Sequence, residues 1–546
     1  MKKNVFVLVS SVLVLGAALA GCGGNSATPA KDNGSASAPA DSKGSSKTLR
    51  LNFHSEPPTA DPGIAEDNTA GAVTRATFDG LTRIGEDGKP HESVAEKIDV
   101  SDDLKTYTFH LRDSKWSNGD PVTAKDFEFA WKRVLDPKTA SNYASQLYYI
   151  KNGEKANKGQ AKLDDVGVKA LDDKTLQVTL ENPTPYFLEL TAFYTYFPVD
   201  QKVVEKDPKW ATEAKTHVGN GPFKLETWEH KSKMVLVKND NYWDKDAVKL
   251  GKIELSMVED ENTELSMFDN GELDWAGKPL SDIPTDAMKP LKDKGALQSQ
   301  TIAGTYWYKF NTEKPPFNNA KVRKAFAYAI DRQSIIDNIT QGNQKPAMGA
   351  VPSSMAVGPQ DGYFKDHDVE GAKKLLDEGL KELGMTKLPP ITLSFNTSEG
   401  HKKIAEAIQD QWKKAFGADI KLENKEWKVY IEDLHQGNFQ IGRMGWLADF
   451  NDPITFLELF KDKKGGNNDT NWENPQFKDL LTKSASEKDP AKRKQILADA
   501  EKIFMDEMPV APIYFYTNSW VQNPKVKGVV VSGTGAVDYK WASFED

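Results

Sequence analysis

Cysteine is almost absent from the sequence, since Cys22 is the only one among 546 residues. A lone thiol cannot form an intramolecular disulfide, so no disulfide framework stabilises this chain. Long apolar runs are also scarce. The run from Val5 to Ala20 is shorter than the ~20 residues that a membrane-spanning helix needs, and no later stretch approaches that length. The sequence therefore predicts no membrane-spanning helix.

Catalytic signatures are missing as well. The chain has no Gly-x-Ser-x-Gly elbow, no His-Glu-x-x-His pair and no phosphate loop ending in Gly-Lys-Ser/Thr. Acidic pairs such as Asp164-Asp165 adjoin lysines and turn residues, which favours solvated loop charges over catalytic dyads. Triads are dispersed along sequences, so catalysis is not excluded. Binding is nevertheless favoured over chemistry, and we predict no catalytic residue, no cofactor and no metal site.

The composition sets the scale of the protein and disfavours one class of partner. The formal net charge is −9, and no long basic run follows Lys2-Lys3, which argues against nucleic acid. About 500 residues follow the N-terminal apolar run, too many for one core, so two or three domains are expected. Thirteen Trp and sixteen Tyr exceed what a core needs and suit a site for varied organic ligands.

The N-terminus has the features of an export signal. Met1-Lys2-Lys3 precedes the apolar run, and "LAGC" ends at Cys22, which is typical of a secretory signal. The ending resembles the lipobox of bacterial lipoproteins, in which Cys22 would carry a diacylglyceryl thioether and become the first mature residue. The alternative is an ordinary signal peptide with a chance cysteine. Two acyl chains anchor stably where one is marginal, so we expect a lipid-anchored protein on the extracytoplasmic face of the cell membrane.

The segment that follows Cys22 predicts a flexible tether. "GGNSATPAKDNGSASAPADSKGSSK" contains no large apolar residue, so it cannot form a core. A coil of this length spans roughly 28 Å. That span lets a globular body move above the membrane.

Periodicity predicts mixed α/β structure. "TYTFHLRD" and "TLQVTL" alternate apolar and polar residues, as strands do. "NNAKVRKAFAYAIDRQSII" has helical spacing behind Asn318 or Asn319 as N-cap. "PPITLSFNTSEGHKKIAEAIQDQWKKAFGADIKLENKEW" predicts strand, helix and strand, with Ser398 capping the helix and Gly417 ending it. Such a βαβ unit implies a parallel strand pair with a right-handed crossover.

The stretch "FHLRDSKWSNGDPVTAKDFEFAWKRVLDP", residues 109–137, resembles the signature region of the peptide-binding family of solute-binding proteins that serve ABC importers. The similarity is closest to the oligopeptide-binding proteins. It continues through "NGPFKLETW", "KPPFNNAKVRKAFAYAIDR", "GRMGWLADFNDP" and "MPVAPIYFY" and covers essentially everything from residue 48 onward. The resemblance implies an α/β, two-lobed periplasmic-binding-protein-like fold (class II type) with an extra inserted domain, in which hinge closure encloses the ligand.

The resemblance also implies domain boundaries and partners. Besides a signal peptide at 1–21 and a lipidated tether at 22–47, it divides the chain into lobe I at 48–78, 203–303 and 517–546, an inserted domain at 79–202 and the other lobe at 304–516. The expected partners are oligopeptides and the transmembrane subunits of an ABC permease. The protein is expected to be a monomer.

Asp449 is the first residue that the resemblance assigns to the ligand. In the family, the aspartate of a Gly-Trp-x-Ala-Asp motif takes the peptide ammonium, and residues 445–449 match that motif. Without the resemblance, Asp449 could instead cap the helix after Pro453. Gly445 is expected to let the ligand backbone approach closely. The main-chain groups expected to pair with the peptide belong to Gly445, Leu447, Glu66, Asp67 and Asn68.

Side chains make up the rest of the expected site. By the resemblance, the walls of the pockets for peptide side chains would be formed by Tyr143, Trp427 and Trp446. Without the resemblance, each of these aromatic residues could equally be a core residue. Arg443 and His401 match family positions that face the C-terminal part of the peptide. His401 alone would be interpreted as a surface residue at a helix N-terminus.

Two departures from the family bear on ligand preference. Lys309 replaces a glutamate, which predicts that basic peptide side chains are less welcome at that pocket. Leu434 stands where some relatives have an arginine. The lysine that meets the carboxylate of short peptides in some relatives has no clear counterpart near "ITQGNQKPAM". Peptide length and C-terminal recognition therefore stay open.

Two rival functions also stay open. A receptor of the same fold could bind dipeptides, nickel chelates, sugars or signalling peptides, although the motif aspartate favours peptides with a free amino end. A secreted peptidase or amidase is the rival from a different class. Cleavage of peptides incubated with the protein would identify it.

The first testable prediction concerns the lipid anchor expected at Cys22. Cys22→Ser removes the only side chain that can accept the thioether, so the body should stay folded but be released, or the precursor should remain unprocessed. Detergent-phase partitioning measures this, with Ser26→Ala in the same tether as the control that partitions like wild type. Partitioning of Cys22→Ser into detergent at the wild-type level would contradict the lipoprotein prediction.

Overall fold

The computed structural model describes residues 47–184 and 186–545. Cys22, the predicted signal peptide and all of the predicted tether except Lys47 lie outside the described residues. Within the described part of the chain, no helix combines the length and apolar character needed to cross a membrane. The described residues form mixed α/β structure, as the periodicity predicts.

Three main sheets organise the fold. The first has four strands that join distant parts of the chain, in the spatial order Thr48–Asn52, Lys252–Ser256, Lys233–Lys238 and Phe223–Glu229. Its first pair is parallel and the other pairs are antiparallel. The second is antiparallel, in the order Ala95–Val100, Thr106–Leu111, Thr175–Thr179 and Val168–Ala170. Both strands predicted from alternation pair here.

The third sheet has seven strands and carries most of the candidate site. Its order is Trp275–Gly277, Val510–Gln522, Gln298–Phe310, Ile441–Leu447, Ile391–Asn396 and Ile420–Lys425, with Lys345–Pro346 beside the second of these. Shorter antiparallel pairs are Thr82–Ile84 with Pro90–Glu92, Val526–Lys527 with Ser543–Phe544, and Val530–Val531 with Val537–Asp538.

The predicted βαβ unit is confirmed within this sheet. Ile391–Asn396 and Ile420–Lys425 pair in parallel and are joined by the helix Glu399–Phe416. Ser398 caps the helix by accepting a hydrogen bond from the backbone of its third residue, and Gly417 ends it with φ 65°. A left-handed residue is best supplied by glycine, because a Cβ is disfavoured there.

The remaining helices pack around these sheets. The N-cap of Ala320–Tyr328 is Asn319, whose side chain accepts from two backbone N–H groups, so the second of the two predicted caps is the one used. The α-helices of the described residues are Asn68–Thr77, Ala124–Leu135, Gly153–Asn157, Phe187–Leu190, Gln201–Lys206, Glu261–Asp269, Thr285–Asp293, Ala320–Tyr328, Arg332–Ile335, Val369–Glu382, Glu399–Phe416, Trp427–His435, Ile454–Leu457, Pro475–Ser486 and Pro490–Glu507.

Burial of one helix face positions a wall of the site. Ile404, Ile408 and Trp412 are fully buried along Glu399–Phe416, at the spacing of a single helix face. The Trp412 indole N–H donates to the carbonyl of Phe326 at 2.8 Å, and the two rings lie 4.8 Å apart. The buried face fixes the helix, so its N-terminus is held where the polar residues of the site converge.

Two strands of thirteen residues, Gln298–Phe310 and Val510–Gln522, run antiparallel through the third sheet. Their register shifts between Thr301 and Thr305. The lobe boundaries expected at 303/304 and 516/517 fall within this irregular stretch. The division into lobes at those residues stays a prediction.

Candidate functional site

A cavity of about 240 Å³ is lined by every residue that the resemblance assigns to the peptide. These residues come from widely separated parts of the chain and were not predicted to meet from periodicity. They are Glu66, Asp67, Asn68, Tyr143, His401, Trp427, Arg443, Gly445, Trp446, Leu447 and Asp449. The cavity is the candidate binding site.

Asp449 follows the strand Ile441–Leu447 by two residues and is tied to another part of the chain. Its carboxylate accepts hydrogen bonds from Gln146 Nε2 at 2.7 Å and from Tyr143 Oη at 3.3 Å. The helix that starts at Ile454 is served instead by Asp452, whose Oδ1 accepts from the Ile454 N–H at 3.0 Å. The carboxylate of Asp449 is therefore not the helix cap.

The charge of Asp449 has no direct ion pair in the described part of the chain, and the charge of Arg75, which also lines the cavity, only partly offsets the rise in its pKa. Burial, together with the nearby carboxylate of Glu458, raises the pKa of Asp449 well above its usual range. Among the described residues no Lys, Arg or His forms an ion pair with it. An isolated buried carboxylate is costly unless a cation or hydrogen bonds compensate it. The site is therefore complementary to a cation.

Aromatic rings surround this carboxylate. The ring centroid of Tyr143 lies 5.8 Å from that of Trp446, with the two rings stacked, and 5.5 Å from that of Phe193. Tyr143 and Trp446 are each 5% exposed, so their faces line the cavity rather than the outer surface. Ring faces attract cations. A carboxylate beside such faces is suited to an ammonium group.

The strand that leads to Asp449 has an open edge. Ile441–Leu447 pairs with Gln298–Phe310 along its whole length. On its other side, only its first two residues, Ile441 and Gly442, pair with the strand Ile391–Asn396. Beyond Gly442, this second edge has no strand partner among the described residues, so its backbone groups face the cavity.

Backbone alternation selects which groups face that edge. Tyr430 lies on the open side of the strand, and its Oη donates a hydrogen bond to the carbonyl of Arg443 at 2.6 Å. The N–H and C=O groups of alternate residues in a strand point the same way. Those of Gly445 and Leu447 therefore point to the open edge, where an extended chain could pair with them.

Gly445 packs against Tyr516, and its expected close approach to the ligand backbone stays a prediction. A Cβ at this position would overlap Tyr516 Oη, so the glycine makes room for the tyrosine ring. Tyr516 Oη in turn accepts a hydrogen bond from Arg443 Nη2 at 2.8 Å. The missing side chain therefore serves the placement of Arg443.

Arg443 supplies a buried positive charge. Its guanidinium is 4.6 Å from the Tyr306 ring and donates to Asn396 Oδ1 at 3.2 Å. Its Nε–H has no hydrogen-bond partner, and within the described part of the chain no carboxylate forms an ion pair with it. This end of the cavity is complementary to an anion.

His401 is buried and uncharged. It is the third residue of the helix Glu399–Phe416 and is 8% exposed, so its interpretation as a surface residue is wrong. Burial, followed by the positive charges of Arg443 and Lys278, lowers the pKa of His401 well below its usual value. At neutral pH it contributes a neutral ring.

Residues 66 and 67 contact the opposite wall of the cavity through side chains. Asp67 caps Asn68–Thr77 by accepting from the Ala70 N–H at 2.7 Å, and its second oxygen accepts from Trp427 Nε1 at 2.8 Å. Glu66 pairs with His435 Nε2 at 3.1 Å. These contacts close the cavity on the side facing Trp427.

The expectation for Lys309 is wrong. Its side chain is 1% exposed, and its ammonium donates to Asp469 at 2.5 Å and to the carbonyl of Asn467 at 2.7 Å. Lys309 does not line the cavity. Because Asp469 neutralises it away from the site, it cannot repel a basic peptide side chain there. Leu434 lies in a separate buried cluster.

Several residues that line the cavity were missed from the sequence. Except for Tyr516, which ends the family-like segment "MPVAPIYFY", they belong to segments with no motif spacing, so no sequence signal distinguishes them from ordinary loop or core residues. One of them, Asn518, lines the cavity and has a buried Nδ2 donor without a hydrogen-bond partner in the described part of the chain. The missed residues include His54, Phe193, Tyr194, Lys278, Asp282, Tyr516 and Asn518.

Comparisons with known proteins agree with this arrangement. The family model described as "Bacterial extracellular solute-binding proteins, family 5 Middle" matches residues 89–468. The oligopeptide-binding protein OppA of Bacillus subtilis is 58% identical over 512 residues, covering 92% of this chain and 94% of that one. Peptide-bound OppA of Listeria monocytogenes superposes with a TM-score of 0.85 at 33% identity, covering 92% of this chain and 100% of that one.

Two structures of the murein tripeptide-binding protein MppA describe the conformation. One from Escherichia coli superposes with a TM-score of 0.86 at 33% identity, covering 91% of this chain and 98% of that one. The unliganded open form of MppA reaches only 0.62 at 32% identity, covering 91% and 97%. The predicted two-lobed α/β fold is confirmed, and the described structure is less similar to the open form than to the other MppA structure.

The bridge from Glu66 through His435 to Asp469 predicts a pH dependence. Burial would lower the pKa of His435, but hydrogen bonds and charges from Asp469 and Glu66 raise it to about 10. The stability that protonated His435 contributes is fully present below its unfolded pKa of about 6.5 and is lost as pH rises toward 10. The thermal midpoint of wild type should therefore fall over this range more than that of His435→Gln.

Glu66→Gln removes one of the two negative charges beside His435 and should reduce the same slope by part of this amount. Differential scanning calorimetry across pH 6–10 measures both variants against wild type. Parallel pH profiles for wild type and His435→Gln would show that this bridge is not ionised as described.

Proposed function

The chain belongs to the bacterial extracellular solute-binding proteins of family 5, and we propose that it is the binding component of an oligopeptide ABC importer. It captures extended peptides through their free N-terminus and main chain and delivers them to the membrane permease. The observation that carries the proposal is the buried Asp449 carboxylate, which forms no ion pair with any cation of the described residues and lies at the end of an open strand edge.

The cavity offers what all peptides share. The α-ammonium meets Asp449, the main chain pairs with the backbone of Gly445 and Leu447, and the C-terminal part approaches Arg443. Strand-like pairing gives affinity without selecting side chains. Exclusion of water strengthens the charged contacts. This division of roles suits a receptor for many sequences.

The side chains of the ligand meet aromatic walls. Tyr143, Trp427 and Trp446 present large apolar faces with few directional demands. Asp67 and Trp427 join across the cavity, so closure orders both walls together. A hinge motion that forms these contacts would trap the peptide.

Anchoring and oligomeric state are part of the same proposal. The protein acts as a lipid-anchored monomer at the extracytoplasmic face of the membrane, held by Cys22, which lies outside the described residues. Its relatives are named as binding proteins, which supports a role without catalysis. Mass spectrometry of peptides before and after incubation tests this, since cleavage products would instead indicate a peptidase.

Native mass spectrometry of the protein as purified is the direct test of function. Co-purified peptides would reveal the cargo and its length together. Retention of a sugar, a metal chelate or one unique signalling peptide would replace the proposal with the corresponding receptor of the same fold.

Asp449 makes the next prediction. Removing one partner of a buried charge pair costs ~2–5 kcal/mol, much of it from stranding the other charge. Asp449→Ala should therefore weaken free peptides by roughly 30- to 4000-fold at about 1.4 kcal/mol per decade. N-acetylation of the peptide should be comparably harmful to wild type, because it removes the charge. Combining both changes should cost less than their sum.

Isothermal titration calorimetry measures this cycle. Glu458→Gln is the matched control, since Glu458 is a buried carboxylate nearby that does not line the cavity. It should leave the preference for free over acetylated peptides in place. Equal binding of free and acetylated peptides by wild type would contradict the role of Asp449.

The breadth of recognition makes a separate prediction. If main-chain groups carry the affinity, peptides of equal length and scrambled sequence should bind within about 1–2 orders of magnitude, each decade being about 1.4 kcal/mol. Calorimetry with a small scrambled set measures the spread. A single sequence preferred by several further decades would indicate a dedicated signal receptor.

A further inference from the structure

The N-terminus of the helix Glu399–Phe416 is held by a side chain from a distant part of the chain. The backbone N–H of Glu399 donates to the two carboxylate oxygens of Glu261, each at 3.0 Å. This N–H belongs to the first helical residue, which has no acceptor within its own helix. The Ser398 cap accepts from His401 instead. Glu261 therefore satisfies a group that the helix itself cannot.

Two further contacts join the same two regions. His54 Nε2 lies 3.0 Å from the carbonyl oxygen of Thr397, and Lys403 Nζ donates to Asp286 Oδ1 at 3.0 Å. His54 and Asp286, like Glu261, belong to the part of the chain expected to form lobe I, whereas their partners belong to the other expected lobe. A separation of the lobes at the predicted boundaries would break all three contacts.

These contacts lie at the edge of the candidate binding site. His54, Ser398 and His401 line the main cavity. A smaller cavity of about 60 Å³ is lined by Thr285, Ser398 and His401. The contacts therefore close the main cavity along the side that is formed by the helix N-terminus.

Glu261 is also fixed from its own side. It is the first residue of the helix Glu261–Asp269 and is 3% exposed. One turn later, Glu264 accepts hydrogen bonds from Asn52 Nδ2 at 2.6 Å and from the Gly277 N–H at 2.9 Å. These bonds tie the helix to two of the main sheets. The carboxylate of Glu261 is thus presented from a rigid support.

The cations near Glu261 are engaged with other carboxylates. Lys403 is shared between Glu399 and Asp286, and Lys278 pairs with Asp282. In the described part of the chain, no cation forms an ion pair with Glu261. The charged or titratable groups on the surrounding elements are Asp260 and Glu264 on its own helix, His54 after the first strand, Lys278, Asp282 and Asp286 in the segment 278–286, and Glu399 and Lys403.

The surroundings of Glu261 favour its neutral form. Burial is the largest cause of a raised pKa, followed by the charge of Asp282. Hydrogen bonds from Ser398 and from the Glu399 N–H oppose the rise, and the resulting pKa of Glu261 is about 8. A glutamate in water has a pKa of ~4.3. Separating the two regions would therefore let Glu261 ionise.

We propose that Glu261 is a positioning residue that keeps the candidate site closed by holding the N-terminus of the helix Glu399–Phe416, and that its protonation state determines how tightly the peptide is retained. The inference rests on the proposed function. Because the pKa of Glu261 is raised where the two regions meet, its contribution to closure is fully present below ~4.3 and is lost as pH rises through about 8. Retention should weaken over this range.

Isothermal titration calorimetry with unblocked oligoalanines of three to seven residues, between pH 5 and pH 8.5, tests the inference. Glu261→Gln keeps an oxygen acceptor for the Glu399 N–H but cannot ionise. It should bind within about threefold of wild type at pH 5 and about tenfold or more tightly than wild type at pH 8.5, since each pKa unit corresponds to a factor of about ten. Glu261→Ala leaves the N–H without an acceptor and should bind about tenfold more weakly than Glu261→Gln at every pH.

Proton uptake supplies a second readout that a merely structural role would not change. Titrations at pH 6.5 in buffers of different ionisation enthalpy measure the protons taken up when the peptide binds. Wild type should take up more protons than Glu261→Gln, because closure moves Glu261 from water into the contact where it is neutral.

Glu501→Gln is the matched control. Glu501 is 2% exposed and accepts hydrogen bonds from the N–H groups of Ala350 and Val351 at 2.9 Å, but it does not line the cavity. These three residues belong to the same expected lobe, so closure does not change their contacts. The variant should keep the wild-type pH dependence and proton uptake.

The outcomes separate the two proposals. If wild type and Glu261→Gln bind peptides with the same pH dependence and the same proton uptake, the role of Glu261 is overturned and the proposed function stands. If wild type binds none of the peptides, the proposed function fails and this inference fails with it. A difference between wild type and Glu261→Gln that grows with pH and is absent from Glu501→Gln supports the assignment.

Discussion

The ladder between Gln298–Phe310 and Val510–Gln522 is the constraint on which the site depends. One strand pairs with Ile441–Leu447 and so places the backbone that leads to Asp449. The other pairs with Trp275–Gly277 and so places Lys278. Asp449 and Lys278, at the two ends of the site, are therefore positioned by the same set of backbone hydrogen bonds. Their separation is set by strand geometry rather than by flexible loops.

The cavity between these poles is electrostatically asymmetric. At one pole, Asp449 has hydrogen bonds but no ion pair with a cation of the described residues, and Glu458 nearby adds to the cost of its charge. At the other, Lys278 pairs with Asp282, whereas Arg443 forms no ion pair with a carboxylate among the described residues. Buried charges without partners destabilise a folded protein, so this arrangement costs stability unless a ligand of opposite polarity completes it. A peptide, with its ammonium and carboxylate at opposite ends, has that polarity.

Individual residues acquire their roles from their partners rather than from their type. Lys309 would be a repulsive charge if it lined the cavity, but pairing with Asp469 removes it from the site. Gly445 makes room for Tyr516 and so supports the guanidinium of Arg443. His401 remains neutral because burial and two neighbouring cations oppose its protonation. Each outcome follows from long-range packing, which no local sequence window contains.

The sequence by itself determined the mixed α/β class, the βαβ unit with its Ser398 cap and Gly417 end, and the strands with alternating burial. These follow from local periodicity and capping, which act within a few residues. The family motif marked the residues that line the cavity, Asp449 among them. Only the tertiary structure decided that Lys278 and Asp282 line that cavity. It also decided that Asp469 neutralises the charge of Lys309 away from the cavity. The pair of Lys309 with Asp469 joins segments far apart in the chain, and whether a charge is free or neutralised depends on which segments meet across the fold.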